Sequence, residues 1–506
     1  MTLVIGLDVG TTSVKVGLFD DSGRQRALAG YEYQLHHAGP DQAELDANLY
    51  WTAAVEAIRR AISSASADPS SVMAIAVSSQ GESVVAVDHH GRPLGPAIIW
   101  LDHRAVEEAR LLSQRFTNDT VYERTGIPDV NPTWPASKLL WWRRNQPDLF
   151  AGASRFLLVE DFILHRLTGR FVSDSSVQCT SMLYDIRRHV WWDEVLAELD
   201  LEATRLPEVV SPGSVVGTLS ADAAEDLGLD TGVRVVAAGM DQCAGAVGVG
   251  NIGGGIVSES TGGALTVQAT VDRHGADATR QTPVYVHSVP GKYLYCPVCQ
   301  VGGMALTWFR DRFGGEEVAA AATGGPNAYE RLTQLAADVS PGSEGLTMLP
   351  HLMGAFSPEY VPSARGVFFG LALRHGKGHF VRAVLEAVAF MLRRNLELLE
   401  NAGVPAVEIR SHGGGAVSDL WNQIKADTTG LPVITLEGQD AAVRGDAMLA
   451  AVAADVFPDL AAASVRMIRP LRRYEPNPLH RAAYDDAYER YILLFDALRP
   501  LFREKE

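Results

Sequence analysis

Cysteine is scarce in this sequence, with four residues among 506. So few cysteines in so long a chain exclude the disulfide framework of a small secreted protein. Two of them form the segment CPVC, Cys296 to Cys299, whereas Cys179 and Cys243 stand alone. A zinc site needs a second ligand pair, so burial in the core is favoured over a metal or redox role for CPVC. We therefore expect a protein of the reducing cytoplasm.

Long apolar runs and basic charge are also lacking. No stretch approaches the ~18 apolar residues of a membrane-spanning helix. The first residues lead into the short run LVIGLDVG, so we expect no secretory signal. Lys and Arg number 44 against 61 Asp and Glu, a formal net charge of -17. Because nucleic-acid binding needs clustered Lys and Arg, we expect neither nucleic acid nor a membrane among the partners.

The order of apolar segments predicts two α/β lobes. With 506 residues, 47% of them hydrophobic, the chain exceeds what one core usually serves. β-branched runs alternate with segments of helical spacing up to about residue 240, and the pattern restarts near Gly250. From about residue 476 onward the sequence is mainly helical and polar. We predict an N-terminal lobe over 1–246, a C-terminal lobe over 247–485 and a helical tail over 486–506.

The segment GLDVGTTSVKVGLFD predicts a β-hairpin with an unusual turn. Its Gly-Thr-Thr-Ser turn directs backbone N–H groups and hydroxyls toward one point, which suits a phosphate oxygen. Asp8 at the mouth of the turn would repel phosphate unless Mg²⁺ lay between them, since Mg²⁺ binds carboxylates together with phosphates. Taken alone, the segment favours an ordinary hairpin with polar turn residues. The residues that would contact phosphate are Gly10, Thr11, Thr12, Ser13 and Lys15.

A second segment of the same kind opens the C-terminal half. GGGIVSESTGGALTVQAT again has the order strand, small polar turn, strand, and two such hairpins would grip a polyphosphate across a cleft. Just before it, Asp241 follows the apolar strand VRVVAAG and opens a segment of Ala and Gly. Open α/β sheets place their ligands at such strand ends. The alternative for Asp241 is a helix N-cap.

Two other predicted strands end in polar residues. SSQGES contains Gln80, Gly81 and Glu82, and IIWLDHR contains Trp100 and Asp102. Their hydrogen-bonding groups and the indole face would suit a polyhydroxylated ligand. As isolated features such side chains are more often structural, and that alternative stays open.

Four motifs together resemble the FGGY family of carbohydrate kinases. GLDVGTTSVK is similar to the family's first phosphate motif, and NPTWPASKLLWWRRNQ approximates its first signature, with Trp142 where a smaller apolar residue is usual. ARGVFFGLALRHGKGHFVRAVLEAVAF is similar to the second signature, and GGGAVSDLWNQIKAD to the adenosine-binding segment. The resemblance covers nearly the whole chain. It implies an α/β fold of two ribonuclease H-like lobes, as in actin-like ATPases, with a cleft between them.

The resemblance also implies a reaction and the residues that perform it. The γ-phosphoryl group of ATP would pass to a hydroxyl of a sugar or polyol, with Mg²⁺ as cofactor. Asp241 would be the general base and Asp8 would organise Mg²⁺. Gln242 and Asp241 would contact the sugar, together with the polar residues of the two strand ends above. The residues expected at the nucleotide, besides those of the first hairpin, are Thr261, Gly262, Gly303, Thr307, Gly414, Gly415 and Ser418.

The resemblance defines the substrate less closely than the reaction. Xylulose kinases of the family usually have Met-His after the glutamine, where this chain has Gly81-Glu82, whereas glycerol kinases have Arg-Glu. Glu82 and Trp100 match the glycerol kinases, but the arginine is missing and their tyrosine is replaced by Thr133. We predict a pentulose such as xylulose, with a glycerol- or erythritol-type polyol as the alternative. A non-catalytic actin-like ATP switch, a sugar sensor and a homodimeric assembly also stay open.

Overall fold

The computed structural model of the protein describes residues 1–274, 280–438 and 440–502. The strands of the N-terminal half are β1 (Leu3–Val9), β2 (Ser13–Asp20), β3 (Gln25–Glu32), β4 (His36–Gly39), β5 (Gln42–Leu45), β6 (Val72–Ser79), β7 (Val84–Val87), β8 (Ala97–Ile98), β9 (Arg155–Leu158), β10 (Val172–Asp174), β11 (Tyr184–Asp185), β12 (Val190–Trp191), β13 (Glu208–Val210), β14 (Val215–Thr218) and β15 (Arg234–Met240). Its helices are α1 (Ala47–Ser64), α2 (Val106–Arg115), α3 (Asn118–Thr125), α4 (Pro135–Asn145), α5 (Pro147–Gly152), α6 (Val159–Thr168), α7 (Ser175–Gln178), α8 (Asp193–Leu199), α9 (Ala221–Leu227) and α10 (Asp241–Gly248).

The C-terminal half continues the alternation of strands and helices. Its strands are β16 (Ile256–Thr261), β17 (Leu265–Val271), β18 (Val284–Val286), β19 (Tyr293–Tyr295), β20 (Val298–Cys299), β21 (Thr347–Leu349), β22 (Val367–Phe369), β23 (Glu408–His412), β24 (Val433–Leu436) and β25 (Pro470–Tyr474). Its helices are α11 (Met304–Phe313), α12 (Gly315–Ala322), α13 (Ala328–Ala337), α14 (Lys377–Asn401), α15 (Asp419–Thr429), α16 (Ala441–Ala453), α17 (Leu460–Met467) and α18 (Arg481–Phe502).

The first large sheet has the strand order β14-β15-β6-β1-β2-β3, and β15, β6 and β1 run parallel. β1 and β2 form the predicted hairpin, closed by a hydrogen bond of 3.0 Å from Gly10 N to Ser13 O. Val9, Ser79 and Met240 are in register at the carboxyl ends of the three parallel strands. The side chains that precede or follow these positions are therefore brought to one edge of the sheet.

The second large sheet repeats this plan, in the order β18-β19-β17-β16-β23-β24-β25. β16 and β17 form the second predicted hairpin, whose turn is closed by a hydrogen bond of 3.0 Å from Gly262 N to Ala264 O. β16, β23 and β24 run parallel, and a 3₁₀ helix (Gly414–Val417) follows β23. Each sheet thus combines a hairpin with parallel strands flanked by helices. The molecule has the two-lobed α/β fold that the sequence predicts.

Helices α10 and α16 join the two halves of the chain. α16 comes from the C-terminal half, yet it packs on α10 and on β1, β6 and β15 of the first sheet. Glycines make the helix crossing close. A Cβ on Gly445 would lie 1.9 Å from Ala244 O, and a Cβ on Gly248 would lie 1.8 Å from Ala441 O. The junction therefore depends on direct contact between the two helix backbones.

The helices run through both predicted lobe boundaries. Residue 246 lies inside α10, and residue 485 lies inside α18. α18 buries Tyr484, Tyr491 and Phe495 in the apolar cluster that includes α14 and β16, because its apolar residues recur at helical spacing despite its polar composition. Within the described ranges, no helix combines the length and the apolar character needed to cross a membrane.

Candidate functional site

A cavity of about 230 Å³ lies where the carboxyl-end edge of the first sheet meets the second lobe. Asp8 from β1 and Asp241 from the start of α10 form one side of its wall. Ser260, Gly413 and Asp440 contribute from the second lobe. The cavity therefore brings the two predicted carboxylates together with groups from both halves of the chain.

Asp241 is the first residue of α10, directly after β15. The N-cap position belongs to Met240, and the Asp241 carboxylate accepts a hydrogen bond of 2.6 Å from Gln242 N. Burial and the nearby carboxylates of Asp8 and Glu82 raise the pKa of Asp241 well above its ordinary value. The structure does not place Asp241 at the N-cap. A carboxylate with a raised pKa is suited to accept a proton near neutral pH.

Two buried side chains form hydrogen bonds to the backbone at the end of β15. Gly239 N donates to Glu160 Oε1 at 2.9 Å, and Met240 N donates to Ser176 Oγ at 3.2 Å. Gly239 has a φ of 91°, a conformation that favours glycine, and the ladder with β6 is irregular at this point. These contacts fix the backbone from which Asp241 projects.

Asp8 lies at the end of β1 in an environment poor in compensating positive charge. Its Oδ1 is 3.4 Å from Ser78 Oγ, and the Ser78 hydroxyl makes its shorter bond, of 2.8 Å, to Asp446 Oδ2. Burial raises the pKa of Asp8 to about 6, although the charge of Lys15 opposes the rise. Lys15 Nζ is itself paired with Asp440 Oδ1 at 2.7 Å.

The carboxylates of Asp8 and Asp241 fit Mg²⁺ bound together with a phosphorylated ligand. Three carboxylates line this cavity, and those of Asp8 and Asp241 have no ion-pair partner among the described residues, whereas Asp440 pairs with Lys15. Carboxylate oxygens of this kind are ligands that Mg²⁺ prefers. Among the described residues, no group of three or more His, Cys, Asp or Glu side chains surrounds a single metal position. Phosphate and water oxygens would therefore supply most of the ligands, with Asp8 as the protein group that holds the ion.

Glu82 lies near Asp241 and is held through its backbone. It has a φ of 58°, and its N–H donates to Thr180 Oγ1 at 3.2 Å. The buried Lys138 donates to the carbonyls of Glu82 and Ile99 at 2.8 and 2.9 Å. Burial raises the pKa of Glu82 to about 7, although Lys138 opposes the rise. The Glu82 carboxyl group carries no hydrogen bond within the described ranges, which leaves it available to a ligand.

Gln80 and Asp102 are buried, and their polar groups bond other protein groups. Gln80 Nε2 donates to Tyr50 Oη at 2.9 Å, and the whole side chain is buried. Asp102 is fully buried and forms an ion pair of 2.7 Å with Arg104. Protein partners thus occupy the polar atoms of both residues, which stiffen the strand ends. Gly81, between them in sequence, packs against Thr180.

The turn of the first hairpin, residues 10–13, contributes no atoms to the cavity wall. Gly10 O accepts a hydrogen bond of 2.5 Å from Tyr33 Oη, which ties the turn to the strand beyond it. Trp100, which is 37% exposed, donates its indole N–H to Thr11 Oγ1 at 2.8 Å. Thr12 is exposed and Ser13 half-buried. The turn is therefore anchored, with Thr12 facing outward.

A second cavity, of about 320 Å³, brings together all seven nucleotide residues predicted in the C-terminal half. They come from the second hairpin turn, the start of α11 and the segment before α15, and they are Thr261, Gly262, Gly303, Thr307, Gly414, Gly415 and Ser418. The two cavities adjoin, because Ser260 and Gly413 line the first and the residues that follow them line the second. A ligand in the second cavity can therefore extend toward Asp8 and Asp241.

A buried ion pair fixes the second hairpin turn. Lys425 Nζ lies 2.6 Å from Glu259 Oε1, and both side chains are fully buried. Glu259 Oε2 accepts a hydrogen bond of 2.7 Å from the Thr261 hydroxyl. Burial alone would raise the pKa of Glu259, but the charge of Lys425 holds it below its usual value. The position of Thr261 thus depends on a charge contributed by α15.

Several side chains of the two cavities are not among the predicted site residues. Gln268 Nε2 donates to Gln242 Oε1 at 2.9 Å, and Tyr329 Oη lies 2.9 Å from Thr307 Oγ1. Asp440, the partner of Lys15, also belongs to no motif. One signal was available for Gln268, since it is a polar residue within the otherwise largely apolar strand LTVQATV.

The four cysteines are free and buried, which confirms the expectation of burial. Burial raises the pKa of the Cys296 and Cys299 thiols to about 12. Both thiols are therefore protonated and unreactive at neutral pH.

Comparison with known proteins identifies the family. Residues 3–248 match the N-terminal domain of the FGGY family of carbohydrate kinases, and residues 261–454 match its C-terminal domain. The chain is 30% identical to xylulose kinase from Escherichia coli (strain K12) over 501 residues, covering 99% of this chain and 100% of that one. It is 28% identical to gluconokinase from Bacillus subtilis (strain 168) over 447 residues, covering 88% and 86% of the two chains.

A solved structure supports the same assignment. The crystal structure of xylulose kinase from Rhodospirillum rubrum superposes with a TM-score of 0.91 at 28% identity, covering 99% of this chain and 100% of that one. The resemblance predicted from the sequence motifs is thereby confirmed. The chain belongs to the FGGY family of carbohydrate kinases, enzymes that transfer a phosphoryl group from ATP to a hydroxyl of a sugar.

Proposed function

We propose that the protein phosphorylates a small uncharged ketose, a pentulose such as xylulose, in the cavity that holds Asp8 and Asp241. The observation that carries this proposal is the junction of the two cavities, which lets a nucleotide in one lobe reach the carboxylates of the other. Asp241 orients the acceptor hydroxyl and accepts its proton as the bond to phosphorus forms. Its raised pKa supports this role.

On the nucleotide side, the cavity of the second lobe holds adenosine between backbone and apolar surface. The triphosphate extends between the two hairpins toward Asp8 and Lys15, whose ammonium group is paired with Asp440. Mg²⁺, when bound, would neutralise charge on the phosphate oxygens, and Asp8 would hold it.

On the sugar side, the charge of the site favours an uncharged substrate. Asp8, Glu82 and Asp241 place three carboxyl groups close together, and the charges of Asp8 and Glu82 both act on Asp241. An aldonate such as gluconate would add another negative charge in a desolvated site, at a cost of several kcal/mol for like charges. Hydroxyl groups of a neutral sugar would instead donate hydrogen bonds to Glu82 and to Gln242.

A glycerol- or erythritol-type polyol is the second candidate. Glu82 follows the end of β6, and Trp100 is fixed beside the first hairpin by its bond to Thr11. This combination of a carboxylate with an indole face also suits a short polyol. The position of the substrate's hydroxyls relative to Asp241 decides between the two candidates.

The test is the release of ADP from ATP with D-xylulose, glycerol, erythritol or D-gluconate, and without any acceptor. We expect the highest kcat/KM with D-xylulose and the lowest with D-gluconate. Preferred turnover of D-gluconate would contradict the electrostatic argument. ADP release that is unaffected by all four acceptors would favour the actin-like ATP switch or the sugar sensor.

Three further proposals concern the whole protein. We propose that the lobes meet near residue 246 within α10 and that α18 belongs to the C-terminal lobe, since it is buried there. We also propose that the enzyme works in the cytoplasm, where its phosphoryl donor ATP is available, and that it forms a homodimer. Analytical ultracentrifugation tests the assembly directly.

A further inference from the structure

A third cavity, of about 430 Å³, lies at the junction of the two lobes and shares no lining residue with the two cavities above. The turn between β2 and β3 forms one wall, with Arg24. The end of β24, the first turns of α16 and the segment after α17 form the other, with Glu437, Arg444 and Arg469. Both halves of the chain therefore contribute charged side chains to it.

The lining of this cavity is positively charged in an otherwise acidic protein. Arg24, Arg444 and Arg469 face one carboxylate, that of Glu437, whereas the whole chain carries a formal net charge of -17. Arg24 and Arg469 are exposed, and across the described ranges their guanidinium groups have neither a hydrogen bond nor an ion pair. These two cations are therefore available to a ligand.

Arg444 supplies a buried cation to the same cavity. It is 6% exposed, and it donates to Glu437 O at 2.6 Å and to Gly438 O at 3.1 Å. Its buried Nε has no partner in the part of the chain that the structure describes. No carboxylate of the described residues forms an ion pair with this guanidinium, and the charges of Asp440 and Glu437 act on it only at longer range. The negative charge that would compensate its desolvation is therefore incomplete. An anion in the cavity would supply that charge.

We propose that this cavity binds a phosphate dianion, free or as a phosphate monoester. The three arginines and Glu437 give the lining a formal charge of +2, which matches a phosphate group of about −1.5 to −2 at neutral pH. The planar fork of a guanidinium bonds phosphate oxygens in pairs. Arg24 belongs to the N-terminal half of the chain, and Arg469 belongs to the C-terminal half. An anion bound by both arginines therefore connects the two lobes and stabilises their junction.

The experiment is isothermal titration calorimetry on the full chain, with the catalytic site filled by β,γ-imido-ATP and Mg²⁺. Inorganic phosphate is titrated in one arm and glycerol 3-phosphate in the other, into the wild type and into Arg24→Ala and Arg469→Ala. Loss of one charge-assisted contact should weaken phosphate binding about tenfold or more. Tighter binding of glycerol 3-phosphate identifies a monoester ligand, and equal or weaker binding identifies free phosphate.

Arg466→Ala is the matched control, since this exposed arginine lies close in sequence but does not line the cavity. It should bind phosphate as the wild type does. Neither substituted arginine bonds the rest of the protein, so we expect sugar kinase activity without added phosphate to stay unchanged in all three variants. Equal phosphate affinity in the wild type and in Arg24→Ala and Arg469→Ala would overturn the proposal. So would the absence of any phosphate binding once β,γ-imido-ATP is present.

Discussion

At the scale of single residues, Glu82 of the proposed sugar site has an unusual backbone conformation. A φ of 58° is uncommon for a residue other than glycine and costs of the order of 1 kcal/mol. Hydrogen bonds to Thr180 and from Lys138 maintain this conformation. The protein thus keeps a strained backbone at a residue whose carboxyl charge acts on Asp241. Such strain is typical of residues that contact a ligand.

The first prediction is that Glu82 makes sugar binding depend on pH. Its pKa of about 7 means that it is mainly protonated at pH 6 and ionised at pH 8. A carboxylate accepts stronger hydrogen bonds than a carboxylic acid, so the Kd for the sugar should rise about tenfold from pH 8 to pH 6. Glu82→Gln should have a weaker Kd at pH 8 and a smaller change between the two values. Titration of the sugar without ATP measures this.

Glu82→Gln should also change how the free energy of unfolding depends on pH, and this effect does not require the sugar. The native-state pKa is raised above the ordinary value of 4.5, so the native state holds a proton that the unfolded state loses between about pH 4.5 and 7. The free energy of unfolding of the wild type therefore falls as pH rises through this window, and that of Glu82→Gln should fall less. Identical pH profiles of sugar affinity in the two proteins would show that Glu82 does not contact the substrate.

Sequence patterns predicted the residues at strand ends better than the direction of their side chains. Asp8 and Asp241 follow apolar strands, and parallel strands bring such residues to one edge. Gln80 follows the parallel strand β6 by the same rule, whereas Asp102 comes after β8, whose pairing is antiparallel. Tyr50 and Arg104 bind the polar groups of these two residues inside the protein. Tyr50 lies 30 residues from Gln80, so the local pattern could not reveal it, whereas Arg104 lies two residues after Asp102 in the segment IIWLDHR and was a local signal.

At the scale of elements, α10 and α16 cross in direct backbone contact between the two halves of the chain. Asp241 begins α10, and Asp440 immediately precedes α16. The spacing of the two helices therefore sets the relative position of the proposed base and of the group that binds Lys15. Backbone atoms, rather than side chains, determine this spacing.

The second prediction is that Gly445→Ala disrupts this crossing. The new Cβ would lie 1.9 Å from Ala244 O, which is backbone and cannot move aside independently. We expect a loss of about 1–3 kcal/mol or more in the free energy of unfolding, measured by urea denaturation. Gly315→Ala is the matched control, because this glycine begins the exposed helix α12 and has open space around it. Its stability should stay unchanged or rise by up to about 1 kcal/mol. Equal stability of the two variants would mean that the helices can separate freely.

The elements that the sequence predicted are those with repeated local signals. Both hairpins have two apolar strands around a glycine-containing turn, and both occur in the structure. The packing of α16 against the first sheet left no such signal, because α16 lies about 190 residues beyond α10 and follows no motif. Long-range pairing of this kind is decided by shape and by the small side chains at the contact.

At the scale of the whole molecule, the cavity that holds Asp8 and Asp241 contains groups from both lobes. Asp8 lies in the first sheet and Asp241 directly follows it, whereas Ser260 lies in the second sheet and Gly413 directly follows it. The ion pair of Lys15 with Asp440 already links the two sides. Phosphoryl transfer needs water to be excluded while the reacting groups are aligned, so the lobes should approach each other when both substrates bind.

The third prediction concerns this closure. We expect β,γ-imido-ATP, Mg²⁺ and D-xylulose together to reduce the radius of gyration measured by small-angle X-ray scattering. Either ligand alone should produce a smaller change, since each occupies one side of the cleft. Scattering profiles that coincide with and without both ligands would contradict closure.

The kcat of Asp241→Asn shows directly whether Asp241 is the general base. Asparagine keeps the shape of the side chain and can still accept a hydrogen bond, but it cannot usefully accept the proton of the acceptor hydroxyl. If Asp241 is the general base, the variant should fold, bind ATP and bind the sugar, while kcat falls about 10²–10⁴-fold. Calorimetric titration of both ligands verifies that binding is retained. A kcat within about threefold of the wild type would contradict general-base catalysis by Asp241 and with it the proposed mechanism.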